Sequence, residues 1–211
     1  MATRSLDVRL YLVTDPVLAG ARGVTETVRA ALEGGTTCVQ LRDKQAETRE
    51  LLKAARAIKS LCDERGVPFV INDRIDVALA VGADGVHLGQ GDMPLSDARR
   101  LLGPNAVIGV SVRTVQEVRE AEREGATYLA ANGVWATSTK TNFGAALGLD
   151  GLRSLVLASR LPIVAIGGID ETQARELALT GAAGIAVVSA VMAAPDPAEA
   201  CRRLRLAFSR D

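Results

Sequence analysis

The fold predicted is a single eight-stranded parallel β/α barrel, a TIM barrel of the α/β class, and three features of the chain predict it. Short apolar, β-rich runs alternate with longer stretches of helical periodicity from one end of the 211 residues to the other. The alternation completes eight cycles of similar length. No Gly-rich dinucleotide fingerprint follows the first strand, which removes the main argument for an open, doubly wound sheet. With 48% hydrophobic residues the chain can fill one continuous core without a disulfide or structural metal. One domain over residues 1–211 is therefore expected, with no linker, low-complexity tract or second domain.

The strands are expected at Val8 to Thr14, Thr36 to Arg42, Pro68 to Asn72, Asp84 to Leu88, Val107 to Ser111, Thr127 to Ala131, Ile163 to Ile166 and Gly184 to Val188. Helices occupy the stretches between them. Runs such as FVIN, VIGV and IVAI are apolar on both faces, as in a parallel sheet sandwiched between its own interior and covering helices. Glycines at Gly34-Gly35, Gly66, Gly82, Gly125 and Gly181 punctuate the returns into strands, where helices end on a left-handed residue. One connection is irregular. Residues 132–148 are too long for an ordinary strand-to-helix loop and rich in Thr, Ser, Lys and Asn, so they are expected to form an active-site lid.

The 25 basic and 25 acidic residues cancel. No net field favours nucleic acid or an anionic membrane, whereas a local positive cluster can still hold a phosphorylated metabolite. Small-molecule partners are expected, and an exposed helix face leaves room for a homo-oligomer. Cys38, Cys62 and Cys201 are widely spaced and odd in number, which fits structural thiols in a reducing cytoplasm better than a disulfide framework or zinc site. The N-terminal MATRSLDVRLYLVTD lacks the charged-then-apolar pattern of a signal peptide, and no apolar run reaches the length of a membrane span. A cytoplasmic protein is expected.

In such a barrel the active site lies at the C-terminal ends of the strands, and the reactive residues concentrate there. The period of two in Val39-Gln40-Leu41-Arg42-Asp43-Lys44 puts Gln40 and Arg42 on one face, lining the mouth. Asn72 and Asp73 end the third strand, where either an N-cap or a ligand role is open. Asp92 follows the neighbouring fourth strand, so the two carboxylates can share one ion. Magnesium suits such a pair, because it is commonly held by one or two carboxylates together with substrate phosphates. His87, the one histidine, is expected to point inward, either to orient substrate or as a core residue satisfied by backbone. Ser111 ends the fifth strand and can bond a ligand, while Thr114 suits the cap of the next helix. Thr137, Thr139 and Lys140 supply donors in the long connection. After strands seven and eight, Gly167-Gly168 and Val188-Ser189 form two adjacent loops, with Ser189 opening the last helix, a common phosphate cradle.

At these residues the sequence resembles the thiamine phosphate synthases, through YLVTD, VQLRDK, INDR, GVHLGQGD, IGVS, ATSTK, AIGGI and VVSA in order over nearly the whole chain. The resemblance implies condensation of a hydroxymethylpyrimidine diphosphate with a thiazole phosphate, giving thiamine phosphate and diphosphate, with Mg2+ as the cofactor. It places Mg2+ on Asp73 and Asp92, and the diphosphate on Arg42, Lys44, Asn72 and Lys140. Gln40 and Ser111 fall near the pyrimidine and reacting centre, Thr137 and Thr139 in the lid, and Gly168, Val188 and Ser189 at the thiazole phosphate. Arg42, Lys44, Ser111 and Lys140 are the catalytic candidates. One departure stands out: where the family commonly has Gly-Pro, two apolar residues and Pro-Thr, this chain has Asn132-Gly133-Val134-Trp135-Ala136-Thr137.

Three other readings compete. A thiazole tautomerase of the same barrel family needs no metal-bound diphosphate, and Asp73, Asp92 and Lys140 argue against it. A non-catalytic sensor of thiamine-related phosphates is separated by a turnover assay. Barrels acting on sugar phosphates share the cradle after strands seven and eight but have no use for the remaining residues.

Overall fold

The computed structural model describes residues 6–136 and 145–209. Eight parallel strands close in sequence order into a barrel: β1 (Leu10–Val13), β2 (Cys38–Leu41), β3 (Phe69–Asn72), β4 (Gly85–Leu88), β5 (Val107–Val112), β6 (Tyr128–Asn132), β7 (Ile163–Ile166) and β8 (Gly184–Val187). Closure is carried by the pairing of Leu10, Tyr11 and Leu12 with Ile185, Ala186 and Val187. The helices are α1 (Pro16–Ala19), α2 (Val24–Glu33), α3 (Thr48–Arg65), α4 (Ile75–Val81), α5 (Leu95–Leu102), α6 (Val115–Arg123), α7 (Gly148–Ala158), α8 (Glu171–Ala178), α9 (Ser189–Met192) and α10 (Pro197–Ala207).

The alternation along each strand separates two cores. Leu10, Leu12, Val39, Leu41, Ile71, Val86 and Ile108 face outward into the larger apolar layer under the helices. Tyr11, Val13, Cys38, Val70, Tyr128, Val164 and Ala186 face inward as the barrel filling. Inward glycines make that filling possible. A Cβ at Gly109 would stand 2.0 Å from Tyr128 Cζ, so this strand position admits the phenol only because it lacks a side chain. Helix ends follow local chemistry: Gly66 and Gly82 are left-handed caps of α3 and α4, a conformation that a Cβ disfavours. Thr114 caps α6 in a reciprocal capping box with Glu117.

Three expectations need correction. Most strands are shorter than expected, so Arg42 lies just beyond β2 rather than within it, and Asn132 is the buried last residue of β6 rather than the first of a loop. Ser189 opens a separate four-residue helix, α9, and the last helix begins eight residues later at Pro197. His87 does point inward, but it is satisfied by side chains rather than by backbone.

Candidate active site

The C-terminal strand ends surround a cavity of about 970 Å³, open mouth included. Its wall includes Gln40, Arg42, Lys44, Asn72, Asp73, Asp92, Ser111, Gly168, Val188 and Ser189, so every described site residue expected from the sequence converges on one space. Thr137, Thr139 and Lys140 lie outside the described residues.

Two aspartates form the charged side. Asp73 is the one non-glycine residue with positive φ among the described residues, at +61°. It sits at the centre of a three-residue turn closed by Arg74 N–H donating to Asn72 C=O at 2.7 Å, a rarely adopted and strained form. Arg74, not Asp73, is the N-cap residue of α4, and no side chain caps that helix. The turn instead directs the Asp73 carboxylate towards Lys44 Nζ at 2.9 Å and into contact with Asp92. Asp92 likewise caps no helix; Pro94 occupies that position for α5. Its carboxylate accepts from Gly89 N–H at 2.6 Å and closes the loop after β4, which Gln90 ties to the Ser111 carbonyl at 2.7 Å. Capping therefore explains neither aspartate.

The two carboxyls are displaced in opposite directions. Burial and contact with Asp73 hold the Asp92 carboxyl above its ordinary value, opposed in part by the Gly89 N–H. Burial also pushes Asp73 upward, but the hydrogen bond shared with Asp92 and the Lys44 ammonium outweigh it, leaving its carboxyl lowered. Asp92 thus gives up its proton less readily than Asp73, and a divalent cation between the two carboxyls would favour the charged form of both. Among the described residues no group of three or more His, Cys, Asp or Glu side chains is arranged to hold a metal, so the acidic offer at this wall, among those residues, is two carboxylates. That set fits magnesium completed by water and substrate phosphates.

The opposite wall offers backbone. Gly167 and Gly168 have φ of +116° and +62°, and a Cβ at Gly168 would stand 2.7 Å from the Ala136 carbonyl oxygen. These glycines serve a purpose beyond approach to a ligand: they let the loop after β7 pack on residues 133–136, where Gly133 N–H and Val134 N–H donate to Ile166 C=O. Arg113 holds both roots of the long connection, donating to Asn132 C=O at 2.7 Å and Ala145 C=O at 2.6 Å.

Four contributors were missed in the sequence. Thr14, buried, accepts from Arg42 N–H at 2.8 Å and so fixes the backbone that presents the guanidinium. Tyr11 and Tyr128 meet across the barrel interior at 2.6 Å, and Arg113 ties the two ends of the long connection. The tyrosines carried a usable signal: the chain has two, and both stand at inward positions of strands that are otherwise aliphatic.

The thiamine monophosphate synthase family model matches residues 10–191. The thiamine-phosphate synthase of Albidiferax ferrireducens is 54% identical over 93% of this chain and 90% of its own. That of Moorella thermoacetica is 47% identical over 95% and 96%. Among solved structures, a thiamine phosphate pyrophosphorylase from Pyrococcus furiosus matches with a TM-score of 0.87 at 44% identity, covering 96% of both chains.

Proposed function

The chain belongs to the thiamine monophosphate synthase family, and we propose that its barrel joins a hydroxymethylpyrimidine diphosphate to a thiazole phosphate, releasing diphosphate and forming thiamine phosphate. The observation that carries this reading is the Lys44–Asp73–Asp92 cluster on the cavity wall, held by a strained turn that serves no helix.

Asp73 and Asp92 would hold Mg2+, whose charge beside a bound diphosphate favours departure of that group. Arg42 and Lys44 border the same space and oppose the negative charge that builds on the leaving oxygens, with Asn72 beside them. Gln40 and Ser111 line the neutral side, where they orient the pyrimidine. The loops at Gly168, Val188 and Ser189 receive the thiazole phosphate through backbone N–H groups. Bond breaking at the pyrimidine methylene and attack there by the thiazole nitrogen need no protein nucleophile. Orientation and charge placement are the protein's contribution. The connection between β6 and α7 would serve as the lid, with Thr137, Thr139 and Lys140 as its donors to the diphosphate.

The substrates are small molecules, and the setting is the cytoplasm. Among the described residues no helix is long and apolar enough to cross a membrane. The acidic pair has no use in a tautomerase. The test is formation of thiamine phosphate and diphosphate from the two purified substrates, with magnesium and then with excess chelator. Magnesium-dependent product is expected. Folded protein that binds thiazole phosphate yet makes no product would overturn the synthase reading in favour of a sensor or isomerase.

A further inference from the structure

Below the charged wall runs a chain of neutral polar side chains. Gln40 Nε2 donates to Tyr11 Oη at 2.8 Å, and Tyr11 Oη lies 2.6 Å from Tyr128 Oη. Tyr128 Oη lies 3.0 Å from His87 Nδ1, and His87 Nε2 lies 3.0 Å from Ser111 Oγ. Both phenols are buried, and burial pushes both well above their ordinary values, so each remains a hydroxyl with one hydrogen to give.

The direction of the chain follows from where those hydrogens can go. Tyr11 Oη already receives the Gln40 hydrogen. When Tyr11 gives its own to Tyr128, Tyr128 gives its hydrogen to His87 Nδ1. A neutral imidazole accepting at Nδ1 carries its hydrogen on Nε2 and donates it to Ser111. Ser111 then keeps its hydroxyl hydrogen for a group in the cavity. The reverse direction makes Ser111 donate to His87 and leaves the Tyr11 hydrogen to the neighbouring Cys38 sulfur, a weak acceptor. The first direction places every hydroxyl hydrogen within the chain on oxygen or imidazole nitrogen.

We propose that Tyr11 and Tyr128 are positioning residues that lock His87 in the Nε2–H tautomer, so that Ser111 presents a hydrogen-bond donor to substrate. The acceptor it would meet, a pyrimidine nitrogen lone pair, rests on the functional reading above. Gly109 belongs to the device, because a side chain there would displace the Tyr128 ring.

His87 is the one histidine in the chain, so nitrogen-15 NMR of histidine-labelled protein reads a single imidazole. In the unliganded wild type the ring hydrogen is expected on Nε2. A hydrogen on Nδ1, or on both nitrogens, overturns the proposal. In Tyr128→Phe the donor to Nδ1 is gone and the hydrogen redistributes towards Nδ1. With it, kcat/KM for the pyrimidine diphosphate falls about tenfold while KM for the thiazole phosphate stays within about twofold, the scale of one misdirected hydrogen bond. In Tyr11→Phe, Tyr128 can still donate to Nδ1 but no longer receives the hydrogen that fixes its direction, so the hydrogen shifts towards Nδ1 by less than in Tyr128→Phe; no shift in Tyr11→Phe removes Tyr11 from the lock. An unchanged tautomer in Tyr128→Phe, or equal losses toward both substrates, would mean that the tyrosine merely packs, and the proposal fails. The tautomer reading needs no turnover. An Nε2–H imidazole that responds as described in a protein making no thiamine phosphate supports the relay and rejects the synthase reading instead.

Discussion

Replacing Asp92 by asparagine should make the metal-free protein more stable and nearly inactive. The Asp92 carboxyl holds its proton more tightly in the folded chain than in the unfolded one, because burial and Asp73 both disfavour its charge. A raised carboxyl contributes stability that is present at acid pH and lost as pH rises through the raised value. At neutral pH the ionised wild-type side chain therefore costs stability. Asparagine retains an oxygen for the Gly89 N–H, 2.6 Å away in the wild type, and carries no charge at any pH. Relief of a partly exposed like-charge contact is worth about 0.5–1 kcal/mol. In a chain of this size that amounts to roughly 1–4 °C in Tm. The assay is thermal unfolding in excess chelator at neutral pH and again below the ordinary carboxylate range, where the difference should shrink because wild-type Asp92 is then protonated. In parallel, magnesium-dependent formation of thiamine phosphate is measured. A lower Tm in chelator would show that the Gly89 bond, not the paired charge, dominates at Asp92. Undiminished magnesium-dependent turnover would refute its place in the metal site.

Three further outcomes follow from the same geometry. Lys44→Ala removes the ammonium 2.9 Å from Asp73, so the Asp73 carboxyl rises towards its ordinary value and the acid limb of magnesium-dependent turnover moves to higher pH. A pH–rate profile checks it, and an unmoved limb counts against the pairing. Gly168→Ala places a Cβ 2.7 Å from the Ala136 carbonyl at a φ of +62°, costing about 1–3 kcal/mol by urea titration and weakening thiazole phosphate binding, measured by calorimetry. The native protein should resist thiol reagents at neutral pH and yield three thiols only when unfolded, because all three cysteines are buried and burial raises Cys201 to about 11 and Cys38 further.

The barrel was legible because its signals are local and repeated: an apolar run and a helical period recur eight times, glycines punctuate five of the returns, and each error at a strand end leaves the others intact. Gln40, Asn72, His87 and Ser111 were legible for the same reason, since alternation alone assigns them inward once the strand is located. The aspartates were placed at the barrel mouth, but a sequence cannot tell whether such a residue at a strand-to-helix junction caps the helix. That distinction rests on the positive φ at Asp73 and on the position of Pro94, which backbone geometry alone supplies. Ser189 was assigned to the wrong helix because a four-residue helix has too few residues to show a period. The joint between Gly168 and residues 133–136 was hidden for a different reason: it is a long-range contact, and a glycine that admits a ligand reads the same as one that admits a loop.

With His87 in the neutral form proposed above, the cavity has a charged wall over a polar floor without fixed charge. Lys44, Asp73 and Asp92 stand together on the side of β2 to β4, where a diphosphate would gather its negative charge. Gln40, Tyr11, Tyr128, His87 and Ser111 form a floor joined side chain to side chain by hydrogen bonds. A fixed anion in that floor would pair with a pyrimidine cation and hold it away from the thiazole, and a fixed cation would oppose its formation. Dipoles locked by mutual hydrogen bonds can orient the ring without doing either. On this view Tyr11→Glu would harm turnover more than Tyr11→Phe even where both variants fold and bind both substrates, because it sets a buried charge beneath the reacting carbon instead of merely removing one link. Single-turnover rates of the two variants decide it; equal losses would show that the neutrality of the floor has no part in the chemistry.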